Sequence, residues 1–168
     1  MSWTVQVPGI CWPKGSHTAI TRGKHAAIVE QAQMNHPKEW AAWEAAVLAA
    51  GQLIASRLDS PIDGPVTVEI TFTLPRPDSR IGDPWPHLKP SRTCPGGGDV
   101  DKLSRFILDA FTRAGVWTDD SRVVDLHPIK TYPLPDGLAP LALPEPGAVI
   151  RVDHAWVPQL TLTEGEAS

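Results

Sequence analysis

Four aspartates bracket one stretch of the chain, GGGDVDKLSRFILDAFTRAGVWTDD: Asp99 and Asp101 at its start, Asp119 and Asp120 at its end. Like charges this close repel unless a cation joins them. Mg2+ takes hard oxygen ligands and keeps several waters, so two or three carboxylates suffice to hold it. Such an ion would neutralise the acids, polarise a phosphodiester and activate water. A helix starting at Asp99 would also aim free N–H groups at a phosphate oxygen. Each acid has a plainer reading too. Asp99 can cap the helix through N–H groups two or three positions on. Asp101 then sits in the first turn, where the helix dipole favours negative charge. Asp119-Asp120 follows Gly115 and suits a turn.

The element between the two pairs must position them. Leu103, Phe106, Ile107, Ala110, Phe111 and Ala114 recur at three- and four-residue spacing, which predicts a helix with one buried stripe. Gly115 stops it. Arg105, Asp109 and Arg113 fall four apart on the wet face and could pair as ordinary surface salt bridges. From Asp101 to Ala114 such a helix is ~20 Å long. Asp120 reaches the Asp99 end only if residues 116–120 run back extended, at ~3.3 Å per residue. Otherwise the third carboxylate comes from a second subunit. Both routes stay open.

Other elements are read by the same patterns. SWTVQVP alternates Trp3, Val5 and Val7 and reads as a strand; residues 8–24 read as a loop, and 25–34 as a short strand and turn. NHPKEWAAWEAAVLAAGQLIASRL reads as a helix with Asn35 as cap and Pro37 in its first turn. Its Trp40, Trp43, Val47, Ala50 and Ile54 make a core stripe rather than a ligand platform. PVTVEITFTLP is a strand with Val66, Val68, Ile70, Phe72 and Leu74 on the buried face. SRVVDLHPIKTY and GAVIRVDHAW supply two more. The order β-α-β-α-β-β predicts an α+β single domain, one mixed β-sheet with two main helices. Its bounds are residues 1–160, with 76–98 a long loop and 161–168 a flexible tail.

The chain has 168 residues, 42% apolar and 20% charged, which fits one globular domain with its own core. No apolar run is long enough for a membrane span, and the N-terminus lacks the pattern of a secretory signal. Cys11 and Cys94 have the spacing of neither a zinc ribbon nor a disulfide framework, so a cytoplasmic location is expected. Net charge is −4, yet the basic residues cluster: Lys14, Arg22 and Lys24 in an acid-free N-terminal stretch, and Arg76, Arg80, Lys89 and Arg92 in the proline-rich loop. These loops would supply a positive surface for a phosphate backbone, or are ordinary solvated charge. Trp85 in the same loop would stack on an unpaired base or pack on neighbouring prolines. His17, His25 and His36 lack metal-ligand spacing and read as exposed or loop residues.

DVDKLSRFILDAFTRAGVWTDDSRVVDLHPIK, Asp99 to Lys130, resembles the signature of the RusA family of Holliday-junction resolvases of phages and prophages. The matching parts are an Asp-x-Asp pair opening a helix, a Leu-Asp-Ala-Phe run, an Asp-Asp turn, a Val-Val strand and a lysine at that strand's end. The resemblance implies a RusA-like fold and a Mg2+-dependent endonuclease, with Mn2+ an alternative ion. It further implies a homodimer that cuts four-way DNA junctions in recombination, repair or phage DNA processing. On that basis a phage-encoded protein would work in the host cytoplasm, with no membrane partner. Asp99, Asp101 and Asp120 would be the essential carboxylates, with Asp119 a supporting metal-site residue. The family's lysine one turn into the helix is Arg105 here. Arginine keeps its proton, so Arg105 would clamp a phosphate in the catalytic site rather than act as a base. Lys102 and Lys130 are further candidates for phosphate contact. Two other readings remain: a non-catalytic DNA-binding phage protein that keeps the fold, and a nuclease for other branched DNA.

Overall fold

The computed structural model describes residues 1–15, 17–22, 25–30, 33, 35–77, 98–133, 139 and 141–155. Its elements are β1 (Ser2–Pro8), β2 (His17–Arg22), β3 (His25–Glu30), α1 (Pro37–Ala55), β4 (Val66–Thr73), α2 (Val100–Ala114), a 3-10 turn (Asp120–Arg122), β5 (Val123–Thr131) and β6 (Gly147–His154). Four strands form one sheet in the order β1-β6-β4-β5, and β2 and β3 form a separate hairpin. β5 runs parallel to β4, and the other two pairings are antiparallel. The α+β mixed sheet expected from the sequence is therefore present, with two helices packed on it. No helix among the described residues is long and apolar enough to cross a membrane.

Register builds the core in rows. Trp3, Val152, Val68 and Leu126 lie side by side across the sheet, then Val5, Ile150, Ile70 and Pro128, then Val7, Ala148, Phe72 and Lys130. Side chains alternate along a strand, so these rows share one face. That face meets the buried stripes of α1 (Trp40, Trp43, Val47, Ile54) and α2 (Leu103, Phe106, Ile107, Phe111) in a single cluster. Trp40 and Trp43 stand 5.2 and 6.3 Å, centroid to centroid, from Phe106, which confirms them as core. The alternate rows are mostly polar, as in Thr4, Arg151, Glu69 and His127.

Three local expectations are corrected. Residues 8–24 are not one loop, because His17–Arg22 pairs with His25–Glu30, Arg22 opposite His25. β-Branched Thr18, Ile20, Thr21, Ile28 and Val29 favour strands. α1 is capped at His36 rather than Asn35, without a side-chain bond; the His36 ring instead packs on Trp12 at 4.8 Å. Arg105, Asp109 and Arg113 do not make the local pairs open to them. Asp109 takes Lys14 at 2.6 Å, and Arg113 reaches across to Glu44 on α1 at 2.9 Å. Residues 78–97, most of the expected long loop, and the tail 161–168 lie outside the described residues, as do Trp85 and Cys94.

Candidate functional site

The chain enters α2 through a tight approach. Gly98 is buried, and a Cβ there would fall 2.9 Å from the Pro13 side chain. Only a residue without a side chain fits against that proline, which accounts for the last glycine of the run. The Lys130 ammonium donates to the Gly98 carbonyl at 2.8 Å. Lys14 N–H donates to the Lys102 carbonyl at 3.0 Å, so residues 13–15 lie along the first turns of the helix.

Asp99 occupies the N-cap position, yet its carboxylate makes no capping hydrogen bond. The plain structural role open to it is not used. Its side chain is 55% exposed and pairs with Lys102 at 3.2 Å. Asp101, in the first turn, is exposed. Arg105 follows Asp101 by four residues and lies on the same helix face. Its guanidinium packs on the backbone of Gly15, whose φ of +112° is a glycine conformation. Acidic and basic groups thus share the N-terminal turns: Asp99, Asp101, Lys102, Arg105, and the Lys14–Asp109 pair.

Asp119 and Asp120 leave the other end of the helix. Gly115 closes α2 at φ +79°, with Val116 N–H returning to the Phe111 carbonyl. Trp117 is buried and bonded to Thr112, and Ile62 pairs with the chain on both sides of it. Arg122 closes this end on Asp63 at 2.9 Å. Asp119 accepts from the Ser121 N–H at 2.9 Å, and its bonds to Ser121 hold its carboxyl below the ordinary range. Asp119 therefore fills the turn role. Asp120 is exposed, in the first position of the 3-10 turn.

The pairs are far apart within one chain. α2 is ~21 Å long at 1.5 Å per residue. β5 then carries the chain back, and Val123 to Lys130 spans ~23 Å at 3.3 Å per residue. It is Lys130, not Asp120, that arrives beside Gly98 and Asp99. Residues 116–120 do not run back along the helix, so the in-chain route to a shared ion is closed. Among the described residues no three His, Cys, Asp or Glu side chains cluster to hold a metal.

The remaining basic residues divide. Arg76 lies over the Tyr132 ring at 4.5 Å. Arg22 ends β2. Lys24, Arg80, Lys89 and Arg92 lie outside the described residues. Lys130 is 9% exposed, and burial pulls its pKa down while Asp99 opposes the shift. Sequence reasoning placed it among phosphate contacts. The signal for its inward direction was the alternation Leu126, Pro128, Lys130, which puts it in register with the core rows.

No curated protein matches the chain. The family model described as Endodeoxyribonuclease RusA matches residues 13–136. The matched span holds the Asp99–Lys130 segment, both acidic pairs, both helices, the β2–β3 hairpin, and β4 and β5 of the four-stranded sheet. It is most of the chain, and the chain belongs to the RusA endodeoxyribonuclease family.

Proposed function

We propose that the protein is a Mg2+-dependent endonuclease that resolves Holliday junctions as a homodimer. The carrying observation is the pair of exposed carboxylates at one helix start, Asp101 and an Asp99 that leaves its capping role unused and pairs with the partly exposed Lys102. Their chemistry fits the ion: two hard oxygen donors in one turn suit Mg2+, which fills its other positions with water. When bound, the ion would neutralise charge near the scissile phosphate, polarise the phosphodiester and activate water.

The chain's own groups do the rest. Asp99 and Asp101 hold the ion. First-turn N–H groups that the Asp99 side chain leaves uncapped face an incoming phosphate, as helix N-termini do. Lys102 and Arg105 flank the same turn and offset phosphate charge, Arg105 as a permanent cation. Asp120 stands at the far end of the helix, so it joins Asp99 and Asp101 only from a second copy. β5 is an edge of the sheet. A two-fold axis near the middle of β5 would exchange its ends and bring the partner's Asp120 towards Lys130 and Asp99. Such a dimer carries two equivalent sites, which matches the near two-fold symmetry of a four-way junction and the paired cuts that resolution needs. The N-terminal and 76–98 basic residues would hold backbones and fix position without reading sequence. A cytoplasmic setting, in a host cell if the protein is phage-encoded, suits this role.

The test uses Asp101→Asn on a synthetic four-way junction. Cleavage with Mg2+ should fall on the order of a thousandfold, the several kcal/mol a metal contributes to stabilising transition-state charge. Junction binding in EDTA should persist. Full cleavage by this variant would reject the site. An intact protein that binds junctions but cuts none, nor flaps or forks, with Mg2+ or Mn2+ would favour the non-catalytic reading.

A further inference from the structure

Lys130 is the one charged residue among the buried polar side chains described, the others being threonines and a serine. Its place in the sheet register is the end of the row Val7, Ala148, Phe72, whose other members are apolar and buried. A methionine would fill such a position without the desolvation that an ammonium suffers there. The charge therefore needs a reason other than packing. Its hydrogen bond supplies one: Nζ donates at 2.8 Å to the carbonyl of Gly98, the residue before Asp99. The Pro13 side chain lies so close to Gly98 that a Cβ there would fall 2.9 Å from it. The peptide that leads into Asp99 is thus held by both a proline ring and a buried cation.

We propose that Lys130 is a positioning residue: by holding the Gly98 carbonyl it fixes the backbone that carries the Asp99 carboxylate, and it does not contact DNA. This rests on the reading of Asp99 and Asp101 as metal-binding carboxylates. The relation is that of an outer group orienting a ligand, whose loss costs about 10–100-fold in metal affinity or activity. A further consequence is electrostatic. The ammonium adds positive charge behind Asp99, on the protein side, while the ion and phosphate approach from the exposed side.

The experiment compares the full chain with K130M, K130Q, K130R and D99N. Two readouts are taken: Mn2+ affinity in the absence of DNA, from the electron paramagnetic resonance signal of free Mn2+, and junction affinity in EDTA across salt concentrations. Thermal melts establish that each variant is folded. K130M should weaken Mn2+ binding about 10–100-fold, with metal-free junction affinity and its salt slope unchanged. K130R, which keeps a charged donor for the Gly98 carbonyl, should recover part of the loss. If K130M does not fold, K130Q against K130R makes the same comparison. Unchanged Mn2+ affinity with a salt slope reduced by about 1 would make Lys130 a phosphate contact and overturn the proposal. If D99N weakens Mn2+ binding and K130M does not, the positioning role alone falls. If neither weakens it, the metal-site reading falls and takes the positioning role with it.

Discussion

Trp117 donates its indole N–H to the Thr112 hydroxyl at 2.7 Å, and this contact fixes where the chain leaves α2. The ring is buried beside Phe111, centroids 5.7 Å apart. From that anchor the next residues project Asp119 and Asp120 past the C-terminal end of the helix, a full helix length from Asp99. The two aspartate pairs are consequently separate features of one chain, and any function that unites them needs a second chain.

The turn aspartates should separate cleanly on substitution. Asp119 already spends its acceptor on the Ser121 N–H. Asp119→Asn keeps an acceptor oxygen and should retain junction cleavage within about tenfold, one decade being 1.36 kcal/mol. Asp120→Asn should lose on the order of a thousandfold, as a ligand does. Cleavage rates of the two variants at saturating Mg2+ make the comparison. Equal loss in both would show that the turn itself matters rather than the second carboxylate.

Asp119 also predicts a pH effect. Its pKa is lowered in the fold, first by the Ser121 side chain and then by the Ser121 N–H. A depressed carboxyl contributes stability above its unfolded pKa and loses it as pH falls through the folded one. The parent should therefore lose more stability than Asp119→Asn between neutral pH and the acid side of the carboxylate range. Thermal melts of both proteins over that range would show converging midpoints; parallel curves would contradict the assignment.

At Gly51 the two helices approach closely. A Cβ added there would lie 2.7 Å from the Ala114 Cβ and 3.1 Å from Phe111 Cδ1. Alanine gains about 1 kcal/mol of helix propensity, but overpacking against a neighbour fixed to its own backbone costs about 1–3 kcal/mol. Gly51→Ala should thus destabilise the fold by on the order of 1 kcal/mol. Adding Ala114→Gly removes the close contact, so the two changes should be non-additive in urea unfolding. Additive effects would show that the Ala114 methyl is not what opposes a side chain at Gly51.

Much of this was legible from residue patterns. α2 declared itself because its stripe has a strict three-four spacing and Gly115 ends it. β4 did so because Val66 to Leu74 alternate between prolines. The short strand expected within residues 25–34 is β3, but its partner β2 was not legible, since that run is short and follows a stretch rich in Gly and Pro. The Lys14–Asp109 pair was not legible because it spans 95 positions, and local spacing made Arg105 and Arg113 the obvious partners of Asp109. The acidic pairs were found by type, whereas their separation depends on Trp117 packing inward and on β5 taking up the return path. A short apolar stretch does not announce that choice from composition alone.

The shared-site account is tested most directly by mixing inactive subunits. Asp101→Asn and Asp120→Asn proteins, each without cleavage alone, are unfolded and refolded together. If one copy supplies Asp99 and Asp101 and the other Asp120, each heterodimer regains one intact site, and roughly a quarter of the parent's sites return on statistical mixing of a two-fold dimer. That recovery, seen as Mg2+-dependent nicking of a four-way junction, is the predicted result. No cleavage above either variant alone would contradict it.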